Sequence, residues 1–430
     1  MTRILTRPAD LTDDIGMRNG WRRLTARAAI VSAIFLSLPL MAQEWSQFRG
    51  PSGQGQVSAT GLPVEWSETT NVAWKTPVPG LGWSSPVVGH GRIWLTSAVA
   101  QGQDASLRLL TFDAESGRPV QDAEVFRVRN PRPIHQQNSH ASPTLILDGE
   151  RVYAHFGSEG TAALTLDGAI VWKARYTCET QHGNGGSPIL WQELLIFTCD
   201  GADAAFVVAL DSRTGKQVWK TWRRQPWSHA YATPLVIRVG ESDQLVSPAA
   251  HHVAAYDPRT GKEIWYVRYD DGFSNVPRPV YAHGLVFITT GFQEPSLFAI
   301  RPDGRGDVTR THLAWQLSRG VPYTPSPIVA GDQLYIVNDI GIVSCLEAQS
   351  GKILWQHRLT GNFTASPVMA DGLIFITSEE GVTTVIRPGP AFQPVAQNTL
   401  KGPTLASMAA AGRSWYIRTM THLYRIQGDR

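Results

Sequence analysis

Short apolar runs separated by polar turns fill the chain from residue 85 onward. Three clear examples are residues 284–290, 333–337 and 372–377, in which Val, Ile, Leu, Phe, Tyr and Thr dominate. Runs of this length and composition favour β-strands, whereas nothing between them repeats apolar residues with the 3.6-residue period of an amphipathic helix. The pattern predicts an all-β protein.

A small or polar residue, usually followed by proline, opens many of the predicted strands, and this signal repeats along the chain. The copies are Ser85-Pro86, Ser142-Pro143, Ser187-Pro188, Thr233-Pro234, Arg278-Pro279, Ser326-Pro327, Ser366-Pro367 and, without proline, Ser407-Met408. Their average spacing of about 46 residues is typical of a β-propeller blade. The repeats therefore predict an eight-bladed β-propeller of four-stranded antiparallel blades.

A turn of fixed chemistry precedes the outermost predicted strand of several copies. Residues 211–219 (Asp-Ser-Arg-Thr-Gly-Lys-Gln-Val-Trp) match residues 257–265 (Asp-Pro-Arg-Thr-Gly-Lys-Glu-Ile-Trp), and residues 347–355 are a close variant. An aspartate can accept a hydrogen bond from a backbone amide two residues on, and glycine adopts the positive φ of a tight turn. We expect the tryptophan to pack between neighbouring blades.

The eighth copy ends after three predicted strands, near Ile426, and lacks an outer strand with a tryptophan. Residues 71–76 (Asn-Val-Ala-Trp-Lys-Thr) have this character, yet they precede the first copy. We predict that this N-terminal strand completes the last blade and closes the ring, which removes a free sheet edge. The predicted propeller spans residues 71–430, and residues 43–70 form an N-terminal extension.

Residues 1–42 have the layout of a secretory signal peptide. Arginines within residues 18–27 precede the apolar residues 28–38, and Ala42 is a suitable residue before a cleavage site. The apolar stretch is shorter than the roughly 20 residues of a membrane-spanning helix. We therefore expect a periplasmic protein without a transmembrane helix once the leader is removed. Three alternatives stay open: a start at Met17, twin-arginine rather than general export, and an uncleaved leader kept as an anchor.

The charge of the chain limits the kinds of partner that it can bind, and its cysteine content limits the kinds of fold that it can adopt. The chain has 39 Lys+Arg and 36 Asp+Glu, and six arginines with three aspartates in residues 1–42 account for its whole net charge of +3. The predicted mature chain is uncharged overall, which argues against a nucleic-acid partner. Three cysteines exclude a disulfide-rich scaffold and a cysteine-rich zinc module. For Cys178 and Cys199, a disulfide and buried free thiols both stay open.

The repeats resemble the PQQ-type propeller repeat, whose signature is Asp-x-x-Thr-Gly-Lys-x-x-Trp. The resemblance covers residues 71–430, and residues 45–51 (Trp-Ser-Gln-Phe-Arg-Gly-Pro) resemble the opening of secreted PQQ-like propeller proteins. Membership of this quinoprotein alcohol dehydrogenase-like superfamily implies one of two roles. One is PQQ-dependent dehydrogenase activity. The other is non-catalytic, as in the propeller lipoprotein of the outer-membrane β-barrel assembly machinery.

The dehydrogenase role implies residues that the chain lacks. Dehydrogenases of this superfamily hold PQQ against a disulfide between adjacent cysteines, bind Ca²⁺ through Glu, Asn and Asp, and use an Asp base. Cys178, Cys199 and Cys345 are not adjacent, and no Cys-x-x-Cys-His haem motif occurs. We therefore predict no cofactor, and PQQ with Ca²⁺ belongs only to the alternative of an oxidoreductase. The leading prediction is a non-catalytic binding or assembly scaffold of the cell envelope, and a carbohydrate-binding module is a further alternative.

Several loops that should share one face of the propeller are rich in histidine. The candidate ligand-binding residues at this channel mouth are His135, His140, His182, Asn184, His229, Tyr231, His251 and Arg278. Converging imidazoles can bind a divalent metal or titrate near neutral pH, and the same side chains can also hydrogen-bond loop backbones. The spacing fits no compact metal motif, so we predict neither a metal site nor a catalytic residue. We expect a monomer that binds an envelope protein or a small-molecule or polymer ligand.

Overall fold

The computed structural model describes residues 44–224, 228–269, 272–292 and 294–428, so the predicted signal peptide lies outside the described residues. The strands of the first half are β1 (Gln56–Val57), β2 (Val72–Pro77), β3 (Val87–Gly89), β4 (Arg92–Gln101), β5 (Asp104–Asp113), β6 (Pro119–Val128), β7 (Ile146–Leu147), β8 (Arg151–His155), β9 (Thr161–Thr165), β10 (Ile170–Ala174), β11 (Ile189–Trp191), β12 (Leu194–Asp200), β13 (Ala205–Asp211) and β14 (Gln217–Trp222). The strands of the second half are β15 (Leu235–Val239), β16 (Ser242–Ala249), β17 (His252–Tyr256), β18 (Glu263–Arg268), β19 (Val280–Ala282), β20 (Leu285–Thr289), β21 (Leu297–Ile300), β22 (Gly306–Asp307), β23 (Leu313–Leu317), β24 (Ile328–Ala330), β25 (Gln333–Val337), β26 (Ile342–Glu347), β27 (Ile353–Arg358), β28 (Val368–Ala370), β29 (Leu373–Thr377), β30 (Val382–Arg387), β31 (Gln393–Thr399), β32 (Ala409–Ala411), β33 (Ser414–Arg418) and β34 (His422–Gln427). A 3-10 turn at Gly157–Glu159 adds one short helical element.

The strands form a ring of eight antiparallel blades, as predicted. Blade one is β3–β6, blade two β7–β10, blade three β11–β14, blade four β15–β18, blade five β19–β21 with β23, blade six β24–β27, blade seven β28–β31 and blade eight β32–β34 with β2. The inner strand β3 contacts both β7 and β32, which brings blade one against blades two and eight. Blades four and seven each gain a short parallel fifth strand, β22 and β1 respectively, which the repeats did not predict.

The N-terminal strand β2 closes the ring at blade eight, which confirms the prediction. It pairs antiparallel with β34, with Val72 opposite Ile426 and Trp74 opposite Arg425. Hydrophobic cores lie between the blades. One of them joins Trp94 of blade one to Leu164 of blade two. No helix of the described chain is long and apolar enough to cross a membrane.

The repeated residue before each inner strand links neighbouring blades. At six junctions its N–H donates to the hydroxyl of the equivalent residue in the next blade at 2.9–3.0 Å: Ser85 to Thr144, Thr144 to Ser187, Ser187 to Thr233, Arg278 to Ser326, Ser326 to Ser366 and Ser366 to Ser407. A hydroxyl is needed because the buried N–H groups would otherwise lack an acceptor. The assignment of Ser142 to this position was wrong. Its hydroxyl bonds Asn138 Oδ1 within its own loop, and Thr144 takes the place.

At the two remaining junctions a buried arginine replaces this hydrogen bond. Between blades four and five, Arg278 Nε donates to Pro234 O at 3.2 Å. Between blades eight and one, Arg418 Nη1 donates to Ser84 Oγ at 2.7 Å and to Thr96 O at 2.9 Å. These two junctions lie on opposite sides of the ring.

The turn motif and the outer-strand tryptophan interlock between consecutive blades. Trp172 Nε1 of blade two donates to Ser212 O in the turn of blade three at 2.8 Å, and Trp219 Nε1 donates to Pro258 O at 3.0 Å. The turn glycine Gly215 lies directly against the Trp172 ring, where a Cβ would come within 2.6 Å of it. Glycine is therefore required both by its positive φ and by this close approach.

Residues 44–57, called the threading segment below, cross the axis of the ring. Trp45 pairs with Val88 of β3, and Ser46 O accepts a hydrogen bond from the N–H of Leu147 in β7. At its other end the segment pairs with β28 through Gln56 and Val57. The N-terminal extension thus spans the ring, because Ser46 binds blade two and Arg49 Nη2 donates to Pro327 O, at the start of blade six on the opposite side.

Candidate functional site

The two faces of the ring differ in their loops. The loop face consists of the loops that lead into the inner strands and the connections between second and third strands. The turn face consists of the hairpins after the inner strands and the turns before the outer strands. The threading segment binds hairpins of the turn face. Glu44 Oε1 accepts from the His90 N–H at 3.1 Å, and farther along the extension Gly61 N–H donates to Asp371 Oδ2 at 2.8 Å. The predicted histidines lie on the opposite, loop face.

Three of the predicted residues form a row on the loop face. The His135 and His182 rings lie 5.4 Å apart between centroids, and the His182 and Tyr231 rings lie 6.0 Å apart. The backbone supports the row, because His135 N–H donates to His182 O at 3.3 Å and His182 N–H donates to the Tyr231 hydroxyl at 3.3 Å. These ring contacts and hydrogen bonds connect the loops that lead into blades two, three and four.

Within this row, the His182 imidazole favours the neutral form, and so does the nearby His229. Burial lowers the pKa of His182 below its usual range, and His135 and His229 lower it further by repulsion. Burial also lowers the pKa of His229. A neutral imidazole offers one donor and one acceptor nitrogen. Near neutral pH, His182 and His229 therefore present hydrogen-bonding rings rather than fixed positive charge.

His140 and Asn184 lie beside the row, in a cleft of about 350 Å³ that Ser158 and Cys178 also line. Asn184 is already engaged, because its Nδ2 donates to Phe156 O at 3.1 Å and its Oδ1 accepts from Ser158 N–H at 3.3 Å. Burial lowers the pKa of His140. The amide of Asn184 therefore holds the adjoining loop in place, as in the loop-backbone interpretation left open above.

A disulfide joins Cys178 to Cys199 under this cleft, and both residues are buried. Ser158 Oγ, which donates to Cys178 O at 2.9 Å, fixes the neighbouring loop of blade two against it. The bond ties the loop leading into blade three to the end of that blade's second strand. It makes the loop face rigid at the histidine row.

Sequence reasoning missed an aromatic continuation of the face. The ring of His251 lies 6.2 Å from that of Phe273, which in turn lies 5.6 Å from that of Phe292. Beyond them, Tyr323 and Ile340 are exposed on the loops of blade six. Single apolar residues in loops carry no periodic signal, so only their position between predicted strands could have found them.

Arg278 does not belong to the exposed mouth where we predicted it. Its side chain is buried in the channel, and its Nη1 donates to Phe48 O of the threading segment at 2.6 Å. The reason is that its position replaces a hydroxyl of the inter-blade series, which faces the axis rather than the loops. Arg278 is therefore not part of the loop face.

The donors of the loop face do not fit a calcium-held quinone. Calcium requires several oxygen ligands at one point, and no three His, Cys, Asp or Glu side chains of the described chain are grouped closely enough to hold a metal ion. The carboxylates here have other partners: Asp200 pairs with Arg223 at 2.6 Å, and Asp339 Oδ2 accepts from Tyr323 N–H at 2.9 Å. The disulfide also joins cysteines of different segments.

Comparisons with known proteins identify solved structures that share this architecture. A search of curated proteins with the sequence finds no significant match. Among solved structures, BamB from Moraxella catarrhalis is 12% identical, with a TM-score of 0.56 over 82% of this chain and 99% of that chain. Quinohemoprotein alcohol dehydrogenase from Comamonas testosteroni is 10% identical, with a TM-score of 0.62 over 90% and 81%. A europium-containing methanol dehydrogenase is 11% identical, with a TM-score of 0.61 over 87% and 89%.

At such identities these structures show the shared propeller fold alone. The sequence itself matches a family model described as outer membrane protein assembly factor BamB over residues 46–221 and 249–388, which is more than half of the chain. The matched range includes most of the threading segment and the repeats up to residue 388, apart from residues 222–248. The protein is therefore a PQQ-like propeller of the BamB family.

Proposed function

We propose that this protein is a non-catalytic binding or assembly scaffold of the cell envelope, and that its loop face binds a partner protein. The observation that carries the proposal is a set of exposed large side chains on the loops of blades five and six. Phe292, Tyr323 and Ile340 are 54%, 44% and 55% exposed, although each is a large apolar or aromatic residue. Aromatic side chains of this kind, beside hydrogen-bonding groups, are typical of protein-binding surfaces.

The loops that carry these side chains are held in place. Tyr323 is bound through its N–H to Asp339, and Gly291, next to Phe292, donates its N–H to Asn275 Oδ1 at 2.5 Å. Asn275 is itself buried and bonds Ala249 O at 2.7 Å. A preordered surface loses little conformational entropy when a partner binds. This favours recognition of a folded or extended protein segment.

Family membership supports a location in the cell envelope and a protein as the partner. The matching family model is described as an outer membrane protein assembly factor, and the predicted leader would export this chain. The oxidoreductase alternative is supported by the likeness to two dehydrogenases. It is opposed by the donors of the loop face, which do not converge on a metal ion. We therefore rank the scaffold first.

Site-specific photo-crosslinking in cells tests the proposal. A photoreactive residue at position 292 or 340 should give a discrete crosslinked product in the envelope fraction. The same residue at Val218 or Val395, which are 52% and 40% exposed on outer strands, should not. Phe292→Ser should weaken the product formed at position 340 by at least tenfold. Equal labelling at all four positions would overturn the assignment of the loop face.

A second measurement separates the scaffold from the enzyme. The purified protein is incubated with PQQ and Ca²⁺, and its absorbance spectrum and dye-linked oxidation of alcohols and sugars are recorded. We expect no bound quinone spectrum and no turnover. Saturable quinone binding with turnover would overturn the non-catalytic proposal, whatever the crosslinking shows.

A further inference from the structure

Three arginine side chains are buried around the axis of the ring without a carboxylate partner. Arg49 belongs to the threading segment, Arg278 precedes the inner strand of blade five, and Arg418 ends β33 of blade eight. None of the ion pairs formed within the described ranges includes them. Arg223, which is equally buried, pairs with Asp200 at 2.6 Å. The axial arginines therefore differ from the usual arrangement, in which a buried charge has an opposite charge beside it.

Arg49 and Arg278 are neighbours that hold the same short segment. Arg278 Nη1 donates to the carbonyl oxygen of Phe48, the residue before Arg49. Arg49 Nη2 donates to Pro327 O at 2.7 Å and to Gln54 O at 2.9 Å. Its Nε and Nη1 are buried and have no partner among the described atoms. Carbonyl oxygens satisfy some donors here, but they do not neutralise two positive charges.

The pKa values of the two arginines agree with this absence of a counter-charge. Burial, and then repulsion from Arg278, lowers the pKa of Arg49 to about 9. Burial lowers the pKa of Arg278 to about 9 as well. Without a counter-charge, the folded channel opposes the charged form of both groups.

The backbone of the threading segment is shaped to admit both guanidinium groups. A Cβ on Gly53 would come within 2.5 Å of Arg278 Cζ, and a Cβ on Gly55 would come within 2.5 Å of Arg49 Nη2. Both glycines have positive φ, of 70° and 82°. Two close approaches at one place indicate that the pairing of these two cations is a built feature of the channel.

We propose that a small inorganic anion binds between Arg49 and Arg278 and fixes the threading segment to the ring. The unpartnered Nε–H and Nη1–H of Arg49 supply donors, and the two positive charges supply the attraction. Chloride and inorganic phosphate share this chemistry. Arg418 also has two unpartnered nitrogens, Nε and Nη2, but no second cation acts on it as Arg278 acts on Arg49, so it is not part of the site. The site lies in the channel, away from the loop face.

Thermal unfolding in different salts tests the proposal. Sodium gluconate is replaced stepwise by sodium chloride, and separately by sodium phosphate, at constant ionic strength. We expect one of the two anions to raise the unfolding midpoint by several degrees and the effect to saturate. Whichever anion acts identifies the occupant. Identical midpoints in all three salts would overturn the proposal.

Matched variants locate the effect. Arg49→Met and Arg278→Met should each abolish the dependence of the midpoint on the anion, whereas Arg418→Met, which removes an equally buried arginine elsewhere, should retain it. If the dependence persists in Arg49→Met, or disappears only in Arg418→Met, the site is wrongly placed.

A measurement on the unaltered chain covers the case in which these variants do not fold. Crystals of protein refolded in bromide, or in arsenate where phosphate is the anion that raises the midpoint, should show anomalous scattering between the two guanidinium groups. The chosen anion confined to the outer surface would overturn the site.

Discussion

The loop face and the turn face are built from the two ends of the same strands, yet large apolar side chains are buried on one face and exposed on the other. On the turn face, glycine turns lie against tryptophan rings, and Trp45 of the threading segment is buried. On the loop face, Phe292 and Ile340 remain exposed on loops that are nevertheless hydrogen-bonded. One face stabilises the ring, and the other leaves side chains available to a partner. Substitutions should therefore separate stability from binding.

Trp45→Ala should give the largest loss of stability. Trp45 is fully buried, and Gly50 lies against its ring, where a Cβ would be 3.0 Å from it. Removing a buried tryptophan costs about 3–5 kcal/mol of unfolding free energy, which denaturant titration would measure. Phe292→Ala on the loop face serves as the comparison and should change the unfolding free energy by no more than about 0.5 kcal/mol. Equal losses in the two variants would break the distinction between the faces.

Gly215→Ala should have the next largest effect. It places a Cβ 2.6 Å from the Trp172 ring and requires alanine to adopt a φ of 71°. Backbone strain and overpacking together should cost about 2–4 kcal/mol. The matched control is Gly240→Ala, where φ is 56° and nothing lies within 4 Å, so that about 1 kcal/mol of backbone strain remains. Similar unfolding free energies for both variants would show that the tryptophan contact contributes nothing.

His155, at the loop-face end of β8, should make stability depend on pH. Burial lowers its pKa from 6.5 to about 3. Below pH 6.5 the imidazole of His155 becomes protonated in the unfolded chain, whereas it stays neutral in the folded chain until the pH nears 3. The stabilising contribution of the neutral imidazole is therefore complete above pH 6.5 and is lost as the pH falls toward 3. At pH 5 this loss should reach about 2 kcal/mol. Asp200, whose burial raises its pKa to about 6, acts in the opposite direction in every variant alike.

The measurement compares unfolding free energies at pH 7 and pH 5. His155→Gln should lose about 2 kcal/mol less between these values than the unaltered chain. His357→Gln, at an exposed histidine of β27, should follow the unaltered chain. If His155→Gln shows the same pH dependence as both of these proteins, His155 is not the group responsible.

Most of the fold could be predicted because its signals are local. The turn of residues 211–219 contains its own aspartate, glycine and tryptophan, and the unpaired strand at residues 72–77 matches the one that blade eight lacks. The path of the threading segment could not be predicted, because its partners, such as Val88 and Met369, come together only once the ring exists. Arg278 was misplaced for the same reason.

The candidate site was predicted in part. Histidines and Asn184 are unusual enough in short loops to be noticed, and His135 and His182 do lie side by side. Phe273 and Phe292 gave no signal, because one aromatic residue in a loop has no repeat to compare it with. Whether any of these residues binds a ligand stays a prediction.

The pairing of β2 with β34 also sets the order in which the molecule can be completed. Trp415 Nε1 donates to Pro63 O across a separation of 352 residues, and contacts this distant in sequence form slowly because a long loop must close first. Among the strands of the four-stranded blades in the described chain, β2 is made before the others and its partner β34 after them. During synthesis β2 must therefore remain without its partner strand until β34 has been made, and the ring can close only after that.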